Sequence, residues 1–184
     1  MTVSTTTSSR VALLREIIRA ARNVFDGTMA DVTPEQAHYI PPGIANPLGA
    51  TYAHVVVSED LVVQGMFKQG APLFASSWAG RTGLSEAMPM PGPEWSKYAG
   101  WTRSVKVDLP ALRAYAQAVA DATDEWLASL SESDLDQPMD LTGFGLGQHT
   151  WGTAIPLLIA NHLGTETGEI AVLKGLQGAR GYPN

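Results

Sequence analysis

The stretch Trp151–Leu176, WGTAIPLLIANHLGTETGEIAVLKGL, decides how this chain folds. Its apolar residues recur at helical rather than strand spacing. Ile155, Ile159, His162, Glu166, Ile170 and Leu173 follow one another at intervals of four, three, four, four and three. That is the period of a core-facing helical seam. His162 and Glu166 therefore point the same way, one turn apart. A carboxylate on such a seam is seldom buried without a partner, because taking its charge out of water is costly. A divalent metal ion held by imidazoles and a carboxylate would be such a partner. A local hydrogen bond between His162 and Glu166 is the simpler alternative.

Three further helices can be read outward from this one. Arg10–Phe25 places Val11, Leu14, Ile17, Ile18, Ala21 and Phe25 on one face and most of its arginines on the other. Asn46-Pro47 opens a second helix that runs to about Lys68. One of its stripes, Thr51, His54, Ser58, Leu61 and Gly65, is small and polar for a core face, and it carries a third histidine or carboxylate candidate, His54. Asp108 caps a third helix, Leu109–Leu130, with Pro110 in its first turn. Thr33-Pro34-Glu35-Gln36 has the pattern of a capped helical turn. Residues 69–106 are too many for a bare loop and predict short helices near Leu84–Met88 and Pro93–Tyr98. Pro138–Gly147 reads as irregular or as a small hairpin. The expected fold is all-α: a four-helix bundle with long connections and short extra helices between helices 2 and 3. One domain over 1–184 is expected, with residues 1–8 as a disordered tail.

Composition narrows the function. Hydrophobic residues make up 45% and charged residues 16%, as in ordinary globular proteins. The net charge is −6, from 12 basic and 18 acidic residues, and no basic run offers a footprint for nucleic acid. There is no cysteine, which excludes disulfides, cysteine nucleophiles and cysteine-bound zinc. Any thiol chemistry needs a thiol brought by a cosubstrate. Neither a signal-peptide core nor an apolar run of membrane-spanning length is evident, so a cytoplasmic protein without a membrane partner is expected.

His54, His162 and Glu166 are thus the candidate metal ligands. Three protein ligands leave coordination positions open, as in catalytic rather than structural sites. Two imidazoles and a carboxylate suit zinc, nickel, iron or manganese, and the residue types do not choose among them; zinc or nickel is the first expectation, with iron or manganese as alternatives. Glu169, three residues beyond Glu166, is the candidate catalytic residue: a proton acceptor, or otherwise a solvated charge. Gly164 and Gly168 each weaken the helix, which points to close approach of another helix or to room for a ligand. His38 and His149 read as ordinary loop histidines. The Trp and Met residues of 66–101 suit a pocket mouth, a dimer surface or core packing equally well. Gly143-x-Gly145-x-Gly147 is not a dinucleotide fingerprint, since its spacing is wrong and no strand precedes it.

Several motifs together resemble the DinB/YfiT-like superfamily of metal-binding four-helix bundles, in its actinobacterial form. They are Asn46-Pro47-Leu48-Gly49…His54, the Asp108–Leu130 helix followed by Leu135-Asp136, Asn161-His162-x-x-x-Glu166-x-Gly168-Glu169-Ile170, and the closing Lys174-Gly175-Leu176-Gln177-Gly178…Gly181-Tyr182-Pro183. Members of this family usually carry one histidine on the second helix and a His-x-x-x-His pair on the fourth. His54 and His162 match, and Glu166 stands in place of the last histidine. Either the triad persists with an altered metal preference, or metal binding is lost and Glu166 is structural; the first is favoured because a carboxylate is a competent ligand. The resemblance implies a metal-dependent transferase that activates a low-molecular-weight thiol, mycothiol-like, toward a small electrophile. A metal-dependent hydrolase on the same site and a non-catalytic stress-related binding or dimerisation module are the alternatives. A homodimer is implied by relatives.

Overall fold

Ser9 starts the first helix by accepting a hydrogen bond from the Ala12 amide at 3.1 Å, and α1 then runs from Arg10 to Met29. The computed structural model describes residues 9–183, so the tail expected at 1–8 lies outside the described residues. The short helix α2, Pro34–His38, has the expected capping box: Thr33 and Gln36 each bond the other's backbone amide. The second long rod is α3, Leu48–Asp60, which continues without a break as a π-helical segment, Leu61–Phe67. It begins one residue later than the Asn46 cap predicts. Pro47 takes the cap position with extended ψ, and its carbonyl accepts from Ala50 and Thr51.

A 3₁₀ turn, Pro93–Lys97, leads into α4, Tyr98–Ser104. The long α5, Leu109–Ser129, is capped by the Asp108 side chain as expected. A two-stranded antiparallel hairpin follows, β1 (Pro138–Asp140) with β2 (Gln148–Thr150), Met139 opposite His149. The last rod comprises α6 (Trp151–Pro156), a second π-helical segment (Leu157–Asn161) and α7 (His162–Gly175). α1 and α3 each pack against both α5 and α7, which closes the four-helix bundle. Phe25, Leu48, Leu112, Tyr115, Ile155 and Ile170 are among the side chains buried at its centre.

Two expectations need correction. Leu84–Met88 is not helical. Leu84 forms an antiparallel bridge with Val107, and the Ser85 amide donates to the Lys106 carbonyl at 3.0 Å. Gly83 sets this course: its φ is +81°, and a Cβ there would lie 2.6 Å from the Leu112 backbone nitrogen. The segment is strapped across the start of α5 and cannot coil there. The rod 151–176 is also not one uninterrupted α-helix. Pro156 has no N–H to give to the ladder, and the turn after it widens into the π form. The wide turn shifts the phase downstream. Leu163, Thr167, Ile170 and Lys174 occupy the buried line of α7, and His162 and Glu166 fall on its shoulder, facing α3.

Buried polar groups tie the rods together. Asp60 accepts from the Leu73 and Phe74 amides, both at 2.9 Å, and from the Tyr115 hydroxyl at 2.6 Å. Glu59 pairs with Arg22 and accepts from Thr123 at 2.9 Å. Lys174 reaches the Thr28 carbonyl and Asp31, joining α7 to the end of α1. Each of these charged groups meets at least one hydrogen-bonding partner, as its removal from water requires, although Arg22 Nη1 is left without one.

Candidate metal centre

His54 projects from the middle of α3, and His162 is the first residue of α7 after the wide turn. Their Nε2 atoms lie 3.2 Å apart. Glu166, one turn along α7, brings Oε1 to 3.8 Å from His162 Nε2. One ligand atom from each of the three side chains lies within 4.8 Å of the other two, and among the described residues this is the one such group of His, Cys, Asp or Glu donors. The expected triad therefore converges. Its setting differs from the sealed seam read from spacing: the His162 and Glu166 side chains keep 25% and 21% of their surface exposed, at the edge of a cleft.

Burial governs the electrostatics. It lowers the His54 pKa to about 4, with His162 adding to the effect. It lowers that of His162 as well, against a small opposing pull from Glu59. Both rings are therefore neutral near pH 7 and offer lone pairs. Burial raises the Glu166 carboxyl to about 7, and the neighbouring Glu169, which also hydrogen-bonds it, pushes in the same direction. A cation between the three tips would reverse that upward push on Glu166.

The donor set fits a small divalent ion. Metal–nitrogen bonds of 2.0–2.1 Å in a tetrahedral site put neighbouring donors roughly 3.3 Å apart. Two of the three separations, 3.2 and 3.8 Å, bracket that value, and the third, between His54 and Glu166, is within 4.8 Å. Without an ion, one imidazole can donate Nε2–H to the other. The Ser58 hydroxyl stands 3.4 Å from His54 Nδ1, where it can steady the ring and its tautomer. On the other side, the edge of Tyr98 meets the His54 ring at a centroid distance of 5.4 Å, and Tyr98 stacks on Trp95 at 4.3 Å.

From the histidines a cleft of about 620 Å³ opens. Both π-helical segments face it, through Leu61, Val62 and Met66 from the first and Leu157 and Leu158 from the second. Trp95 and the hairpin residues Phe144 and Leu146 complete its mouth, so Met66, Met88 and Trp95 line a pocket, whereas Trp101 belongs to the core and Trp78 and Met90 pack against it. Periodicity alone did not signal this cleft. The Trp95/Tyr98 pair, three residues apart in a predicted short helix, was the nearest hint of it.

The remaining candidates sort plainly. Asn161 lines the cleft beside His162. Glu169 is exposed and adjoins Glu166. His38 is structural: the Val107 amide donates to its Nε2 at 2.9 Å, so its Nδ1 carries the proton and donates to the Pro34 carbonyl. His149 meets the Leu146 carbonyl at 3.0 Å, also away from the triad. No close helix explains Gly164, where an added Cβ would meet nothing within 4 Å; at Gly168 it would meet only the Tyr182 hydroxyl, at 3.6 Å. That face of α7 is turned outward. Among the described residues, no helix is long and apolar enough to cross a membrane.

Comparison with known proteins agrees with this architecture. A crystal structure of a conserved protein from Enterococcus faecalis is similar to this chain with a TM-score of 0.73 and 19% sequence identity, over 92% of this chain and 98% of that one. At that identity the likeness speaks for the fold. No curated protein matches the sequence. The family model described as the DinB superfamily matches residues 17–170, and the chain belongs to that superfamily.

Proposed function

We propose that this chain is a metal-dependent enzyme whose His54, His162 and Glu166 hold one divalent ion, zinc or nickel foremost. The convergence of two neutral imidazoles and a carboxylate at the end of an apolar cleft carries the reading. The chemistry such an ion supplies is Lewis acidity, under which thiols and water ionise near neutral pH. The favoured reaction is transfer of a low-molecular-weight thiol, mycothiol-like, to a small electrophile. Glu169 takes the thiol proton, the sulfur forms a bond to the electrophilic carbon, and the leaving group departs with the bonding pair. Ser58 orients His54, and the cleft walls keep bulk water from competing as nucleophile. The cosubstrate supplies the sulfur because the chain has no cysteine.

Metal content of the untagged protein tests the site. One equivalent is expected in the parent, and loss of most of it in His54→Ala and His162→Ala. Parent protein that stays metal-free after incubation with zinc or nickel would overturn the reading. Thiol consumption with electrophile, compared with water alone, separates transfer from hydrolysis. Glu169→Gln is expected to lower the rate while metal content is kept.

A further inference from the structure

The walls of the cleft are chemically segregated. Its polar side chains, Ser58, Asn161 and Thr165, gather around His54 and His162. Away from that end the lining is aliphatic, thioether or aromatic, as at Leu61, Met66, Trp95, Phe144 and Leu158. Among the described residues that line it, none is Asp, Glu, Lys or Arg. The carboxylates nearest the histidine end, Glu166 and Glu169, add negative charge, and the whole chain carries −6. The volume of about 620 Å³ suits a drug-sized ligand.

We infer that the cleft selects, as the electrophile, an uncharged, mainly apolar molecule whose single polar group lies at the histidine end, and that it rejects carboxylate- or phosphate-bearing molecules of the same size. A charged body placed against Leu61, Trp95 and Leu158 would lose its hydration and find no counter-charge. A neutral aromatic or aliphatic body gains by leaving water. Leu158 on the second π-helical segment and Leu146 on the hairpin are the specificity-determining residues, one at the wall and one at the rim. The inference rests on the proposed function for which end reacts, but binding of the body needs no ion.

Calorimetric titration of metal-stripped protein with 2-acetylnaphthalene and with 2-naphthoate tests it. The two probes share a ring system and nearly a shape, and differ in charge. The ketone is expected to bind at least tenfold tighter. Leu158→Lys is expected to weaken the ketone about tenfold and to bring in the carboxylate. Leu146 is 43% exposed, so Leu146→Lys gives the same test if the inner variant does not fold. Equal affinities, no saturable binding of the ketone, or lysine variants that bind both probes as the parent does would each overturn the inference. A separate zinc titration keeps the two readings apart. Normal metal binding without probe discrimination sinks only this inference, and discrimination without metal binding sinks only the proposed enzyme.

Discussion

Replacing Tyr115 with phenylalanine removes one oxygen from the centre of the bundle, and its cost can be worked from the contacts. Tyr115 is fully buried and Asp60 is 1% exposed. The phenol donates at 2.6 Å to Asp60 Oδ2, which also accepts from the Phe74 amide, while Oδ1 accepts from Leu73. Burial, reinforced by Asp60, drives the Tyr115 ionisation far up, so the hydroxyl remains a donor at any working pH. Phenylalanine leaves Asp60 with two donors where it had three. A hydrogen bond to a charged group contributes about 1.5–3 kcal/mol, and the missing oxygen leaves too small a void to add much. A loss of about 2 kcal/mol is expected, which for a chain of this size lowers Tm by roughly 4–8 °C. Urea unfolding should show a lower midpoint with an unchanged slope. A cycle with Asp60→Asn should be non-additive, since both variants break the same contact. Amide exchange at Leu73 and Phe74 should speed up in Asp60→Asn, because that carboxylate accepts from both amides. A loss under about 0.5 kcal/mol, or full additivity, would refute this account of the bundle centre.

Other outcomes follow from features already described. Zinc at a hundredfold excess over its Kd should stabilise the protein by about 2.7 kcal/mol, a Tm rise of roughly 5–11 °C, and by nothing in a variant lacking His54, His162 and Glu166. An equal rise in that variant would place the ion elsewhere. Gly83→Ala should cost about 2 kcal/mol or more in urea unfolding, since it joins a positive φ to a clash with the start of α5; a neutral result would mean that the strap yields. Acid should destabilise the fold. The Arg15 guanidinium holds Asp124 below the usual carboxylate range, and the Lys174 ammonium does the same for Asp31. With folded values below unfolded ones, that stability is complete above about pH 3.9 and drains away as pH falls through the folded values. Asp124→Asn should flatten the fall in urea midpoint measured below pH 5, and an unchanged fall would remove Asp124 from the account.

The helices were legible because each carried its own boundary signals. Asp108 with Pro110, Thr33 with Gln36, and the apolar spacing of α1 and α5 act locally, and the structure keeps them. The convergence of His54, His162 and Glu166 was legible for a related reason. A histidine in a stripe of small residues and a His-x-x-x-Glu pair leave a mark on two separate helices. Features that depend on contacts between distant segments were not. Leu84–Met88 has acceptable helix formers, but pairing with Val107 and the Gly83 backbone override them. The seam through Ile159 and His162 assumed an unbroken phase, and Pro156 with the turn behind it breaks that phase. Glu166 therefore sits at a cleft edge rather than in a sealed core, a difference that spacing cannot express.

The wide turn at Leu157–Asn161 holds about one residue more than an α-turn and so sets which side chains of α7 face His54. An α-helix advances about 100° per residue. Forcing that turn into regular coiling at unchanged length would swing His162 and Glu166 about 100° away from His54, whereas excising one position there as well would bring them back. The turn can therefore take up the loss of one residue, whereas the same loss between His162 and Glu166, in regular α-helix, would turn the two side chains apart.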